Sequence, residues 1–162
     1  MGRLRGGHFI ADRDFPVFRE IVQRWRHPNG LLWGMAIANY GRSGAWTESL
    51  GVTAPLQEMM LQSWDGALRI FPAWPRALEA RFDDFRAEGA FLVSAAWANG
   101  RVQSLAIHSE RGARCRLYPP WPGGLKVVDE AAQTVDCRAE EYERVSFATQ
   151  PGGKYRLTPR AF

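Results

Sequence analysis

The chain holds 162 residues and 18.3 kDa, 46% hydrophobic and 23% charged. That is one ordinary domain or two small ones, able to bury about 70% of its extended-chain surface without metal or disulfides. The longest strongly apolar run, Leu31 to Ala38, is far short of the about 20 residues of a membrane span. The net charge of +4 comes from interleaved charges, seven Arg against five acids over 1–63 and 14 bases against 12 acids over 64–162. No cationic patch of the kind nucleic acid requires emerges, so neither nucleic acid nor a membrane is an expected partner.

The N-terminus has bases but only Phe9-Ile10 where a secretory signal would place its apolar stretch, so no signal is read there and the compartment stays open. Asp14 can then cap a helix with Pro16 in its first turn, and Phe18, Ile21, Val22 and Trp25 follow at the spacing of one buried stripe. His27-Pro28-Asn29-Gly30 stops it. Leu31 to Tyr40 is too short for periodicity to choose between helix and buried strand, although helix is preferred. After Gly41-Arg42-Ser43-Gly44, Thr53 offers an N-cap, Pro55 a first turn, and Leu56, Met59 and Met60 a stripe ending near Ser63.

From Trp64 onward the grammar is short strands and turns. Ala67 to Phe71 is followed by Phe91, Val93, Ala95 and Trp97 alternating with smaller or polar residues, the period of a half-buried strand. Asn99-Gly100 predicts a hairpin into Val102 to His108. Further strands are read at 115–118, 125–128, 134–137, 145–149 and 155–158, the last two joined as a hairpin across Pro151-Gly152-Gly153. The fold class is therefore mainly β: an antiparallel sandwich over residues 66–162, preceded by two or three helices over 1–65. Those helices carry Phe15, Phe18, Trp25, Trp33, Met35, Ile37, Trp46 and Met59, more apolar surface than they can hide among themselves. The sandwich, a second copy or another helical domain must cover them.

Three blocks carry a resemblance. Glu58-Met59-Met60-Leu61-Gln62-Ser63-Trp64-Asp65-Gly66, then 68–75 (Leu-Arg-Ile-Phe-Pro-Ala-Trp-Pro), then 86–94 (Arg-Ala-Glu-Gly-Ala-Phe-Leu-Val-Ser) resemble the C-terminal end of glycoside hydrolase family 95, the α-L-fucosidases and their relatives. The similarity continues through 102–104 and 107–112 and spans residues 30 to 121. It implies a catalytic (α/α)6 barrel whose last helix is the Glu58–Ser63 segment, followed by a C-terminal β-sandwich. Residues 1–65 then correspond to the end of that barrel, and the implied partner is a fucosylated or related glycan bound through a parent catalytic domain.

Glycoside hydrolysis needs two carboxyl groups, roughly 6.5 to 9.5 Å apart when the configuration inverts. The resemblance places the general acid in upstream barrel helices that do not correspond to any part of this chain. It places the second acid, an Asp, in an Asp-Gly-Asn-Phe-Gly pattern before the last helix, where this chain reads Thr47-Glu48-Ser49-Leu50-Gly51. Glu48 is the candidate catalytic residue, one place from the family's Asp, and reads either as a shifted acid or as a solvated loop residue. Trp46 and Trp64 flank it as candidate substrate-binding residues, with a core role as the competing reading. Trp74, Trp97 and Trp121 are a possible stacking platform in a free-standing sugar-binding module, although Trp97 falls on the apolar side of its strand. Asp83-Asp84 and Glu140-Glu141-Glu143 read as solvated faces. Cys115 and Cys137 have no metal or redox spacing, pairing only if their strands are neighbours, and His8, His27 and His108 share no ligand spacing, so no cofactor or metal is expected.

Overall fold

The computed structural model describes residues 2–4, 7–9, 11–26, 28 and 51–160. Leu31–Tyr40, Trp46 and Glu48 lie outside them. The chain divides into two compact units, Met1–Met59 with Ala73–Pro75, and Met60–Pro72 with Arg76–Phe162.

In the first unit, β1 (Gly2–Leu4) pairs antiparallel with β2 (Gly7–Phe9). Helix α1 (Ala11–Arg24) begins three residues before the expected cap, with Asp12 and Asp14 in the first turn where the helix dipole favours acids. Pro16 therefore lies inside the helix and removes one rung of its ladder. The expected buried stripe is not buried: Phe18 and Val22 are half-covered, while Val17 (55%), Ile21 (53%) and Trp25 (40%) are exposed. Periodicity identifies the apolar face of a helix; it does not supply the partner that covers that face. Phe15 lies against Phe18 at 6.1 Å and meets Trp74 edge-on at 5.6 Å.

Helix α2 (Thr53–Met60) has the expected start, with Pro55 in its first turn and Met59 buried. It ends before Ser63 because Leu61 and Gln62 form β3 (Leu61–Gln62), paired with β4 (Arg69–Ile70). The remaining strands are β5 (Ala80–Ala87), β6 (Phe91–Ala98), β7 (Arg101–Ser109), β8 (Cys115–Leu117), β9 (Leu125–Asp129), β10 (Thr134–Val135), β11 (Cys137–Ala139), β12 (Val145–Phe147) and β13 (Lys154–Pro159).

They form a six-stranded sheet in the order β10-β9-β13-β7-β6-β5 and a three-stranded sheet in the order β11-β12-β8, all pairs antiparallel. Phe91, Val93 and Ala95 alternate inward from β6, and Val102, Leu105 and Ile107 from β7. From the smaller sheet Cys115, Leu117 and Phe147 point into the same core, where the Phe147 ring meets that of Tyr155 at 5.4 Å. The result is a β-sandwich, with each buried large apolar side chain contributing about 1.5–3 kcal/mol.

The Asn99-Gly100 hairpin forms with both residues at positive φ (54° and 70°), the two-residue turn whose twist suits antiparallel strands. Three other expectations change. Residues 134–137 are not one strand: Val135 pairs with β9, Cys137 pairs with β12, and Asp136 turns the chain between sheets. The segments around Pro151-Gly152-Gly153 are not a hairpin, because β12 and β13 belong to different sheets. There the turn bonds to the end of β7, Gly152 N–H to Ser109 C=O (2.7 Å) and Ser109 N–H to Gly153 C=O (2.9 Å), and hands the chain across. Strand β5 was not expected: a bulge between Phe82 and Phe85, with Asp84 at φ 55°, breaks its alternation.

Candidate functional site

Of the three candidate site residues, only Trp64 is described. It sits in the turn between β3 and β4, closed by Gly66 N–H to Ser63 C=O (3.0 Å) with Gly66 at φ 74°. The turn presents the indole outward, 37% exposed. Gln62 pairs with Arg69 across the short ladder, so the chain that leaves at Trp64 returns through Arg69 close by. The Arg69 Cζ lies 5.3 Å from the Trp64 ring centroid.

Arg69 is fixed from two further sides. Its Nη1 and Nη2 donate to Asp65 Oδ1 and Oδ2 at 2.7 and 2.6 Å, a bidentate pair of planar groups. Leu68 N–H donates to Arg116 C=O (2.8 Å) and Tyr118 N–H donates to Leu68 C=O (3.0 Å), bringing Tyr118 beside β4. Its ring centre is 4.2 Å from Arg69 Cζ. Trp64, Asp65, Arg69 and Tyr118 thus form one cluster at the surface of the second unit. Asp65 and Arg69 stand four residues apart at the junction of the first two resembling blocks, but the Leu68–Leu117 bridge that brings Tyr118 is a long-range pairing with no local signal.

The electrostatics of the cluster suit binding better than acid catalysis. The hydrogen bonds from Arg69 hold the Asp65 carboxyl below the usual carboxylate range, against a smaller upward push from burial. Glu110 is lowered by Arg86, and Glu140 by the Ser146 hydroxyl and then by Arg116. A glycosidase general acid needs the opposite, a carboxyl raised toward neutrality. Among the described residues, each carboxyl displaced from its ordinary range is displaced downward.

The other tryptophans do not make a platform. Trp121 is buried (8% exposed), its Nε1–H donating to Val102 C=O at 2.9 Å. Trp97 faces the apolar side as read, its ring 5.5 Å from Phe71, and Trp74 lies in the first unit against Phe15. Described residues line two open depressions on the outer face of the six-stranded sheet. One, of about 310 Å³, is lined by Arg81, Asp83, Ser94, Gln103, Arg156 and Thr158; the other, of about 400 Å³, by Val128, Asp129, Glu130, Lys154 and Arg156. Arg81 pairs with Asp83 and Lys154 with Glu130, so the lining is largely self-neutralised. No exposed aromatic ring lines either one, since the Tyr155 side chain points into the core. His108 lies on β7, and Asp83, Asp84, Glu141 and Glu143 are solvated as read. No group of metal-ligating side chains occurs among the described residues.

The family model described as glycoside hydrolase family 95, C-terminal domain, matches residues 62–157, more than half of the chain and nearly the whole sandwich. No curated protein matches.

Proposed function

We propose, because the chain belongs to the family of glycoside hydrolase family 95 C-terminal domains, that it is the C-terminal part of a family 95-like glycoside hydrolase and buttresses a catalytic helical barrel. The observation that carries this reading is the coincidence of the matched segment, residues 62–157, with the two-sheet sandwich. Residues 66–162 are then the accessory sandwich and 1–65 the end of the barrel. The uncovered Val17, Ile21 and Trp25 of α1 support that assignment, as a barrel helix packs on neighbours along more than one face.

In this reading the parent domain binds the glycan and supplies the general acid, and the fucosidase-like specificity follows the resemblance. Glu48 is the residue we place nearest the water-activating position, with Thr47 where the family has Asp. Trp46 and Trp64 are the residues we place against the sugar. The chain by itself lacks half of the required carboxyl pair and turns over nothing. An aryl α-L-fucoside assay of the purified chain tests this, and the expected rate equals the buffer blank. Turnover by the chain that disappears in Glu48→Gln contradicts the proposal and makes Glu48 a working acid.

A further inference from the structure

The structure assigns a saccharide subsite to the turn at the start of the second unit: the Trp64–Asp65–Arg69–Tyr118 cluster fits one non-ionic pyranose ring. The inference rests on the glycoside hydrolase reading, which places Trp64 against the sugar, and deepens it by naming the groups beside Trp64 that hold the ring and the class of sugar they select. A pyranose has one face of C–H bonds and an edge of adjacent hydroxyls. Binding it takes an accessible aromatic plane next to fixed planar groups that both donate and accept.

Among the described residues this combination occurs once. Trp64 is the exposed aromatic of the second unit that stands beside a bidentate Asp–Arg pair. The pair is pre-aligned by its two mutual hydrogen bonds and by the Tyr118 ring, so little side-chain freedom remains to be lost on binding. It is also unsaturated. A guanidinium has five N–H donors and a carboxylate about four lone-pair sites; the mutual contact uses two of each, and Ala67 N–H takes one more on Asp65 Oδ1 at 3.4 Å. The remaining donors and acceptors match the alternating needs of two neighbouring hydroxyls.

The mutual neutralisation of Asp65 and Arg69 selects an uncharged ring over a uronate or sugar phosphate, which would compete for the guanidinium. The outer face of the six-stranded sheet is larger but has no aromatic plane for the C–H face of a sugar.

The test is calorimetric titration of the full chain with the methyl glycosides of L-fucose, D-galactose and D-glucose. Heat is the readout because replacing Trp64 would remove an optical reporter along with the ligand. At least one glycoside is expected to bind saturably, about tenfold more weakly in Trp64→Ala, with binding kept in Trp64→Phe. Asp65→Asn, which frees the Arg69 fork, weakens the same glycoside. Unchanged circular dichroism of each variant shows that the sandwich is intact. No saturable heat from any of the three overturns the subsite while leaving the buttress reading to its own assay. Saturable binding unchanged by Trp64→Ala also overturns it, and moves carbohydrate recognition elsewhere on the chain.

Discussion

Cys115 and Cys137 occupy one row of the three-stranded sheet, where Phe147 of β12 pairs with Cys137 on one side and Cys115 on the other. Two strand spacings separate their Cα atoms by about 9.6 Å, beyond the roughly 7 Å limit for a disulfide. Both thiols are free, Cys115 buried and Cys137 exposed. The question left open by spacing is settled by strand order, which no local pattern encodes. Burial pushes the Cys115 thiol up to about 12, and Cys137 is raised too, by partial burial and then by the charge of Asp136. At pH 8, iodoacetamide followed by peptide mass spectrometry should label Cys137 alone in the native chain and both cysteines in urea. Equal labelling under native conditions would contradict the burial of Cys115. The linkage has a definite sign. As the pH rises from about 9 toward 12, the unfolded chain ionises Cys115 while the folded chain does not, so stability present below that window is lost through it.

At the scale of elements, turns were legible where their chemistry is local. Thr53 with Pro55 marks the start of α2, and Asn99-Gly100 fixes the β6–β7 register through two residues that tolerate positive φ. The link from β12 to β13 was misread because the same glycines serve a hairpin or a crossing between sheets, and only the neighbouring strand distinguishes them. That neighbour is the end of β7, where Ser109 Oγ lies 2.7 Å from Thr149 Oγ1 and accepts from Gly112 N–H at 3.1 Å. Gly112 (φ 73°) abuts the crossing, since a Cβ there would come within 2.6 Å of Pro151 Cδ. Gly66 has nearly the same φ, 74°, with no atom within 4 Å of its added Cβ. Both alanine variants incur about 1–2 kcal/mol of left-handed strain, and Gly112→Ala adds about 1–3 kcal/mol of overpacking. Urea unfolding should therefore rank Gly112→Ala below Gly66→Ala by at least about 1 kcal/mol. Equal losses would mean that the crossing yields. The candidate site was half legible by the same logic, Trp64 standing out as an aromatic beside a turn while Tyr118 arrives through long-range pairing.

On the scale of the whole chain, the two units differ in how far they cover their own apolar surface. The second buries Phe147, Leu105, Ile107, Leu117, Leu157 and Val127 almost completely, and its sandwich coincides with the family match. The first has α1, none of whose residues is buried, and exposes Val17, Ile21 and Trp25. A change of period, from 3.6 to 2 near Trp64, made the switch from helix to strand visible in the sequence. Who covers the helices is not written in that period. The most direct measurement is limited trypsin digestion of the purified chain, with fragments identified by mass spectrometry. The accessory-sandwich reading predicts early cuts after Arg13, Arg19 and Arg24, leaving a fragment that spans 66–160 and persists. A digest in which residues 11–24 survive as long as the sandwich would contradict it, because α1 would then have its cover without any barrel.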